Sequence, residues 1–174
     1  MKKPILFAFP VNDLTIARYL AAKEVDFIGI NLDDPDEKAI RSRITQFREW
    51  IEGPQLIGVS ATPQQATLSD YKLDGFYLDE VFELPSDCIV FRSEQFLIRN
   101  PQSQFQYVII EKSNASFESM QCILKTDINT NPVLDSTIKG FLFAPGNEEK
   151  TGLYDFEKLE EWFEKIETIQ MPSE

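Results

Sequence analysis

At 174 residues the chain is long enough for one core burying roughly 70% of its unfolded surface, and too short for two ordinary domains. Seventeen basic against 29 acidic residues give a net charge of -12, a field that repels nucleic-acid backbones and anionic membranes. Histidine is absent, which removes the commonest general base, the Ser-His and Cys-His dyads and most zinc sites, so acid-base chemistry falls to Asp, Glu, Lys, Tyr or Cys.

In chain order, the basic start Met1-Lys2-Lys3-Pro4 precedes an apolar run too short for a secretory signal, and no run approaches a membrane span. Short apolar runs then recur as strands buried on both faces: Ile5 to Phe9, Phe27 to Leu32, Leu56 to Ser60, Gly75 to Leu78, Cys88 to Phe91, Tyr107 to Ile110, Cys122 to Leu124 and Gly140 to Phe143. Helical patterns lie between the early ones. Asn12 is a cap for a helix with Ile16, Tyr19 and Leu20 inward. Asp34-Pro35-Asp36-Glu37 reads as N-cap, first-turn proline and acidic third position, before Ile40, Ile44, Phe47 and Ile51. Thr62-Pro63-Gln64-Gln65 repeats that start.

Mid-chain connections are shorter. Glu80 to Pro85 is too short for a helix, and Glu94 to Gln104 and Ser113 to Gln121 hold two or three turns each. The final helix is the clearest, with Phe156, Leu159, Trp162, Phe163 and Ile166 on one stripe. Cys88 and Cys122 lack C-x-x-C spacing and read as buried thiols of a reducing cytoplasm.

Strand-helix alternation implies parallel strands joined by right-handed crossovers. Eight units in 174 residues average about 22 each, below the roughly 30 of an ordinary unit. The fold expected is α/β, a compact (β/α)8 TIM-like barrel with shortened or missing outer helices, occupying 1-170 with 171-174 as a disordered tail. An open doubly wound parallel sheet is the alternative.

Barrel sites gather at the C-terminal strand ends, which carry Phe9, Asn31, Asp33, Ser60, Asp79, Arg92, Glu111, Lys125, Asp127 and Asn147. Arg92, Lys125 and Glu111 form a mixed-sign set that either grips a small anion or pairs within itself. Asp33, Asp79, Glu111 and Asp127 are alternatively a carboxylate set for Mg²⁺, though nothing in their spacing selects a metal. The loop Ala144 to Asp155, APGNEEKTGLYD, joins a buried strand to the last helix. Its Gly146 and Gly152 either open a nest of amides for phosphate, with Asn147 and Thr151 as further donors, or serve a positive φ.

That loop resembles the S-S-G-V-E-x-x-x-G-x-x-D segment of phosphoribosylanthranilate isomerases, barrel enzymes of tryptophan synthesis. Asp26-Phe27-Ile28-Gly29 is similar to the family's A-D-x-x-G-F, Ile57-Gly58-Val59 with Thr62-Pro63 to its V-G-V-F-x-x-x-x-P, and Leu73 to Leu78 to its L-D-x-V-Q-L. The resemblance implies an isomerase fold, phosphosugar binding at Gly146, Asn147, Thr151 and Gly152, and a reaction without cofactor. It also implies a general base where Phe9 stands, a general acid at the position of Glu111, and an arginine where Asp36 stands. The family's histidine loop becomes Tyr77-Leu78-Asp79-Glu80, and its glycine loop Lys125-Thr126-Asp127.

The reading that follows is an isomerase-like protein with a degraded site, retaining phosphate or phosphosugar binding. The alternatives are an active phosphosugar isomerase or lyase using Glu111, with Asp127 as a second carboxylate, and a non-catalytic interaction protein. Expected partners are a small phosphorylated ligand and a second copy in a homodimer, with neither nucleic acid nor membrane.

Overall fold

The computed structural model describes residues 3–63, 68, 70–112, 120–133, 136–146 and 154–169. Eight parallel strands, β1 (Ile5–Ala8), β2 (Phe27–Asn31), β3 (Gln55–Ser60), β4 (Gly75–Leu78), β5 (Ile89–Ser93), β6 (Tyr107–Ile110), β7 (Cys122–Thr126) and β8 (Ile138–Phe143), pair in sequence order. The last pairs with the first, Ile5 opposite Gly140 through Ala8 opposite Phe143, so the sheet closes and the open-sheet alternative is ruled out. The fold is a (β/α)8 barrel.

Strands in a closed barrel are buried on both faces, which is why these segments are near-continuous apolar runs. One parity points inward: Phe7, Phe27, Ile57, Val59, Phe91, Ile109, Ile123 and Leu142 form the interior cluster. Its centre is aromatic. The Phe91 ring lies 4.9 Å from Phe7, 5.1 Å from Phe27 and 4.9 Å from Tyr107, in tilted, edge-on and stacked arrangements that suit the ring quadrupoles.

The other parity, including Ile28, Ile30, Val108, Phe141 and Phe143, meets the helices. These are α1 (Leu14–Ala22), α2 (Glu37–Trp50), α3 (Glu94–Arg99) and α4 (Phe156–Glu167). The closing helix α4 sinks Leu159, Trp162, Phe163 and Ile166, each contributing about 1.5–3 kcal/mol by burial.

The helix starts differ in detail from the sequence expectation. Asp13, not Asn12, caps α1, accepting from the Thr15 amide at 2.8 Å and the Ile16 amide at 3.2 Å. Asp36, not Asp34, caps α2 through the Ala39 amide at 3.1 Å. Asp34 instead accepts the Asp36 amide, an Asx turn that competes with helix initiation two residues early. The start at Thr62 to Gln65 and the segment Ser113 to Gln121 lie largely outside the described residues, as does 171–174.

Between β4 and β5 there is no helix. The outer faces of these strands, Phe76, Leu78, Cys88 and Val90, pack instead against Leu68 and the partly buried Leu73, Phe82, Leu84 and Phe105. The outer layer is thus shortened where the sequence spacing is tightest. Both cysteines are buried thiols.

A recurrent clamp ties strand pairs together at the N-terminal face of the barrel. Asp26, just before β2, accepts the Leu6 amide of β1 at 2.8 Å. Asp74, just before β4, accepts the Leu56 amide of β3 at 2.7 Å, and Gln106, just before β6, accepts the Val90 amide of β5 at 2.7 Å. Each clamp satisfies an amide at the start of a strand, where the sheet ladder supplies no acceptor.

Candidate functional site

The C-terminal mouth of the barrel is where a site belongs in this fold. At the end of β1, Phe9 is half-buried against the interior cluster and its amide donates to the Phe143 carbonyl at 2.9 Å. Its ring crosses the backbone of β2 at Gly29. A side chain there would bring its Cβ within 2.8 Å of Phe9 Cβ and Cδ2, so glycine at 29 and phenylalanine at 9 fit each other. The space at this strand end is filled by hydrocarbon.

Beyond β2, Asn31 accepts the Asp33 amide at 3.0 Å, and Asp33 reaches across to the end of β3. Its carboxylate accepts from the Ser60 hydroxyl, from the Ala61 amide at 2.8 Å and more weakly from the Thr62 hydroxyl at 3.4 Å. Burial pushes this carboxyl up, but the donors of Ser60, Ala61 and Thr62 outweigh it and hold Asp33 below the ordinary carboxylate range. The linked stability is therefore present above about pH 4 and lost as pH falls through the lowered folded value. Asp33→Asn is expected to cost about 1–2 kcal/mol at neutral pH and to flatten this part of the acid limb. Urea melts at neutral and acid pH measure it; an acid limb unchanged from wild type would refute the assignment.

Tyr77 of β4 points inward beneath the mouth, and burial, then the charges of Asp79 and Glu111, raise its phenol above the ordinary value. It stays protonated at neutral pH. Asp79 accepts the Ser93 amide at 3.0 Å, while the Ser93 hydroxyl accepts from Phe96 and caps α3. The mouth carboxylates at 33 and 79 are thus engaged by neighbouring backbone. Among the described residues no group of carboxylates is arranged to hold a metal ion.

Lys125 and Glu111 do come together. Ending adjacent strands β7 and β6, they form an ion pair at 2.9 Å with both side chains more than half exposed. At that exposure the pair adds under about 1 kcal/mol to stability. Asp127 is not brought into it. Its carboxylate accepts the backbone amide and side-chain amide of Asn129, at 2.8 and 2.7 Å, and these bonds hold it below the ordinary range. Ionised at neutral pH, it has no proton to donate as an acid.

Arg92 also stands apart, contrary to the expectation that it joins Lys125 and Glu111. Its neighbour Phe91 points into the barrel, so alternation sends Arg92 outward, where it is only 4% exposed. The guanidinium lies over the Phe96 ring at 4.6 Å. Nη1 donates to the Leu78 and Glu80 carbonyls, both at 2.6 Å. Desolvation lowers its pKa, against a raising influence from Asp79. The sequence missed this because Arg92 sits one position short of the inward parity.

In the loop after β8, Gly146 has a φ of 96°, a conformation that favours glycine whatever surrounds it, and a Cβ would meet nothing within 4 Å. Asn147, Thr151 and Gly152 lie outside the described residues. Beyond them, Tyr154 donates its hydroxyl to Asp13, the cap of α1. Asp155 caps α4 through the Lys158 amide at 3.1 Å.

Several residues shared with the isomerase motifs therefore have architectural roles. Asp26 and Asp74 clamp strands, Gly29 admits Phe9, and Asp155 starts the last helix. Groups at the N-terminal face or at a helix cap serve stability. No helix among the described residues is long and apolar enough to cross a membrane.

No protein-family model and no curated protein matches the sequence. Among solved structures, the chain is similar to N-(5'-phosphoribosyl)anthranilate isomerase from Pyrococcus furiosus. The TM-score is 0.68 at 10% identity, over 97% of this chain and 100% of that one. At that identity the likeness carries the fold alone, and the scaffold on which this mouth is built is that of a phosphoribosylanthranilate isomerase-like (β/α)8 barrel.

Proposed function

We propose that this chain is a phosphoribosylanthranilate isomerase-like barrel that does not catalyse the isomerisation and that binds a small phosphorylated ligand at its mouth. The observation that carries the first half is Phe9. Isomerisation by proton transfer needs a base within hydrogen-bond reach of the reacting carbon, and the strand end that faces this region presents a phenyl ring locked over Gly29. A base contributes about 10²- to 10⁴-fold, and the acidic stretch Asp33 to Asp36 further replaces a cation with carboxylates.

The ligand half rests on the loop sequence Gly146, Asn147, Thr151 and Gly152, with Lys125 at the end of β7 as a cation of the same proposal. Expression in a tryptophan auxotroph lacking the isomerase is expected to give no growth. Restored growth would overturn the loss of catalysis. Thermal melts with ribose 5-phosphate and related phosphosugars are expected to rise, by about 2.7 kcal/mol of stabilisation at 100 times Kd; no shift with any phosphosugar would remove the ligand half.

A second reading is favoured by the Glu111 to Lys125 ion pair, which sets an acid-base group beside a cation in open solvent. Under it the chain is an active phosphosugar isomerase or lyase. Phosphosugar turnover abolished by Glu111→Gln, with unchanged melting, would select this reading over the first.

A further inference from the structure

The missing helix between β4 and β5 leaves a cavity of about 510 Å³ on the outside of the barrel. Its walls mix apolar side chains, among them Phe82, Val90 and Phe105, with the polar Ser86, Ser103, Gln104 and Gln106, and Arg92 is one of the lining residues. Arg92 is more than nine-tenths buried, yet among the described residues it forms no ion pair and its Nε has no hydrogen-bond partner. Among the described residues, the hydrogen bonds of the guanidinium leave from Nη1, toward the Leu78 and Glu80 carbonyls. The edge left over is the Nε side of the fork, which takes a carboxylate in two parallel bonds.

A buried cation with an unmet donor is costly unless something completes it. We infer that this outer cavity is a binding site for a small monocarboxylate with an apolar body, its carboxylate on the Nε edge of Arg92 and its hydrocarbon against Phe82, Val90 and Phe105. One guanidinium balances one negative charge. A phosphate dianion would bring a second charge beside Asp79, Glu80, Glu83 and Asp87 of the adjoining connection, so the carboxylate is the better match. The volume suits a ring or short chain attached to the acid group.

The test uses the wild-type protein, because the Nε–H of a buried arginine is visible by proton–nitrogen NMR. Benzoate and hexanoate are expected to shift the Arg92 Nε–H signal saturably, together with the amides of Val90, Phe105 and Gln106. Sodium chloride at matched ionic strength and inorganic phosphate are expected to leave them in place. Arg92→Lys keeps the charge but loses the fork, and is expected to weaken benzoate binding at least about tenfold. No saturable shift with either acid, shifts confined to the barrel mouth, or equal response to phosphate would each overturn the assignment. If Arg92→Lys fails to fold, the wild-type titration decides alone, with the Arg92 signal assigned through its bonds. Both acids binding without moving the mouth amides separates this site from the phosphosugar proposal, whichever way that one falls.

Discussion

Gly140→Ala is expected to destabilise the barrel by about 3 kcal/mol or more, enough to leave much of the chain unfolded under ordinary assay conditions. Gly140 sits opposite Ile5 at the seam where β8 meets β1. A Cβ at 140 would overlap the Ile5 carbonyl oxygen and approach the Ile5 carbonyl carbon and Cβ at 2.7 Å. The obstacle is backbone, which cannot rotate away as a side chain would, so the two strands must separate to admit one methyl group. That separation opens the ladder that closes the barrel and exposes unpaired amides along it. Gly53→Ala is the matched control. There φ is 103° but nothing lies within 4 Å of a Cβ, so only the backbone conformation is strained, at about 1 kcal/mol. Chemical denaturation of both variants measures the difference; a Gly140→Ala midpoint no lower than that of Gly53→Ala would show that the seam is not tight.

Phe91→Ala is expected to cost about 3–5 kcal/mol, the range for removing a buried aromatic whose surroundings cannot collapse. Phe91 is fully buried and its ring touches those of Phe7, Phe27 and Tyr107, which project from three different strands. Those strands are held by the barrel ladder, so the void persists rather than filling by inward relaxation. Phe91→Leu retains most of the volume and is expected to recover more than half of the loss. Urea denaturation compares the two. If Phe91→Ala cost under about 1 kcal/mol, the barrel interior would be loosely packed and the description of an aromatic-filled core would fail.

Both results bear on function through Phe9. The mouth of this barrel is continuous with its core, since Phe9 packs on the same interior cluster as Phe7 and Phe27. A catalytic base at that position would be a polar group placed against hydrocarbon. The chain instead uses the position for packing, and an ionic pair at the mouth, Glu111 with Lys125, lies in solvent. The buried cation, Arg92, is turned to the outside of the sheet under the β4 to β5 connection and faces away from the barrel interior.

All eight strands were legible in the sequence because burial on both faces demands uninterrupted apolar runs, a strong local signal. The stripe of α4 was legible for the same kind of reason, its period being a property of the helix alone. The absence of a helix between β4 and β5 followed from chain length. Helix caps were displaced by one or two residues, because Asn12 and Asp13, or Asp34 and Asp36, are equally good caps until the strand ends fix which amide is unpaired.

Roles at the strand ends were not legible. The sequence determined by itself a set of strands, a closing helix, and the absence of histidine, which leaves acid-base chemistry to other residue types. Tertiary structure alone decided that the strands close, that Asp26 and Asp74 clamp neighbouring strands, and that Arg92 turns outward while Lys125 meets Glu111. Local sequence specifies which face of an element is apolar, but which side chains share a site depends on register and closure. A shift of one residue sends a side chain to the opposite face of the sheet.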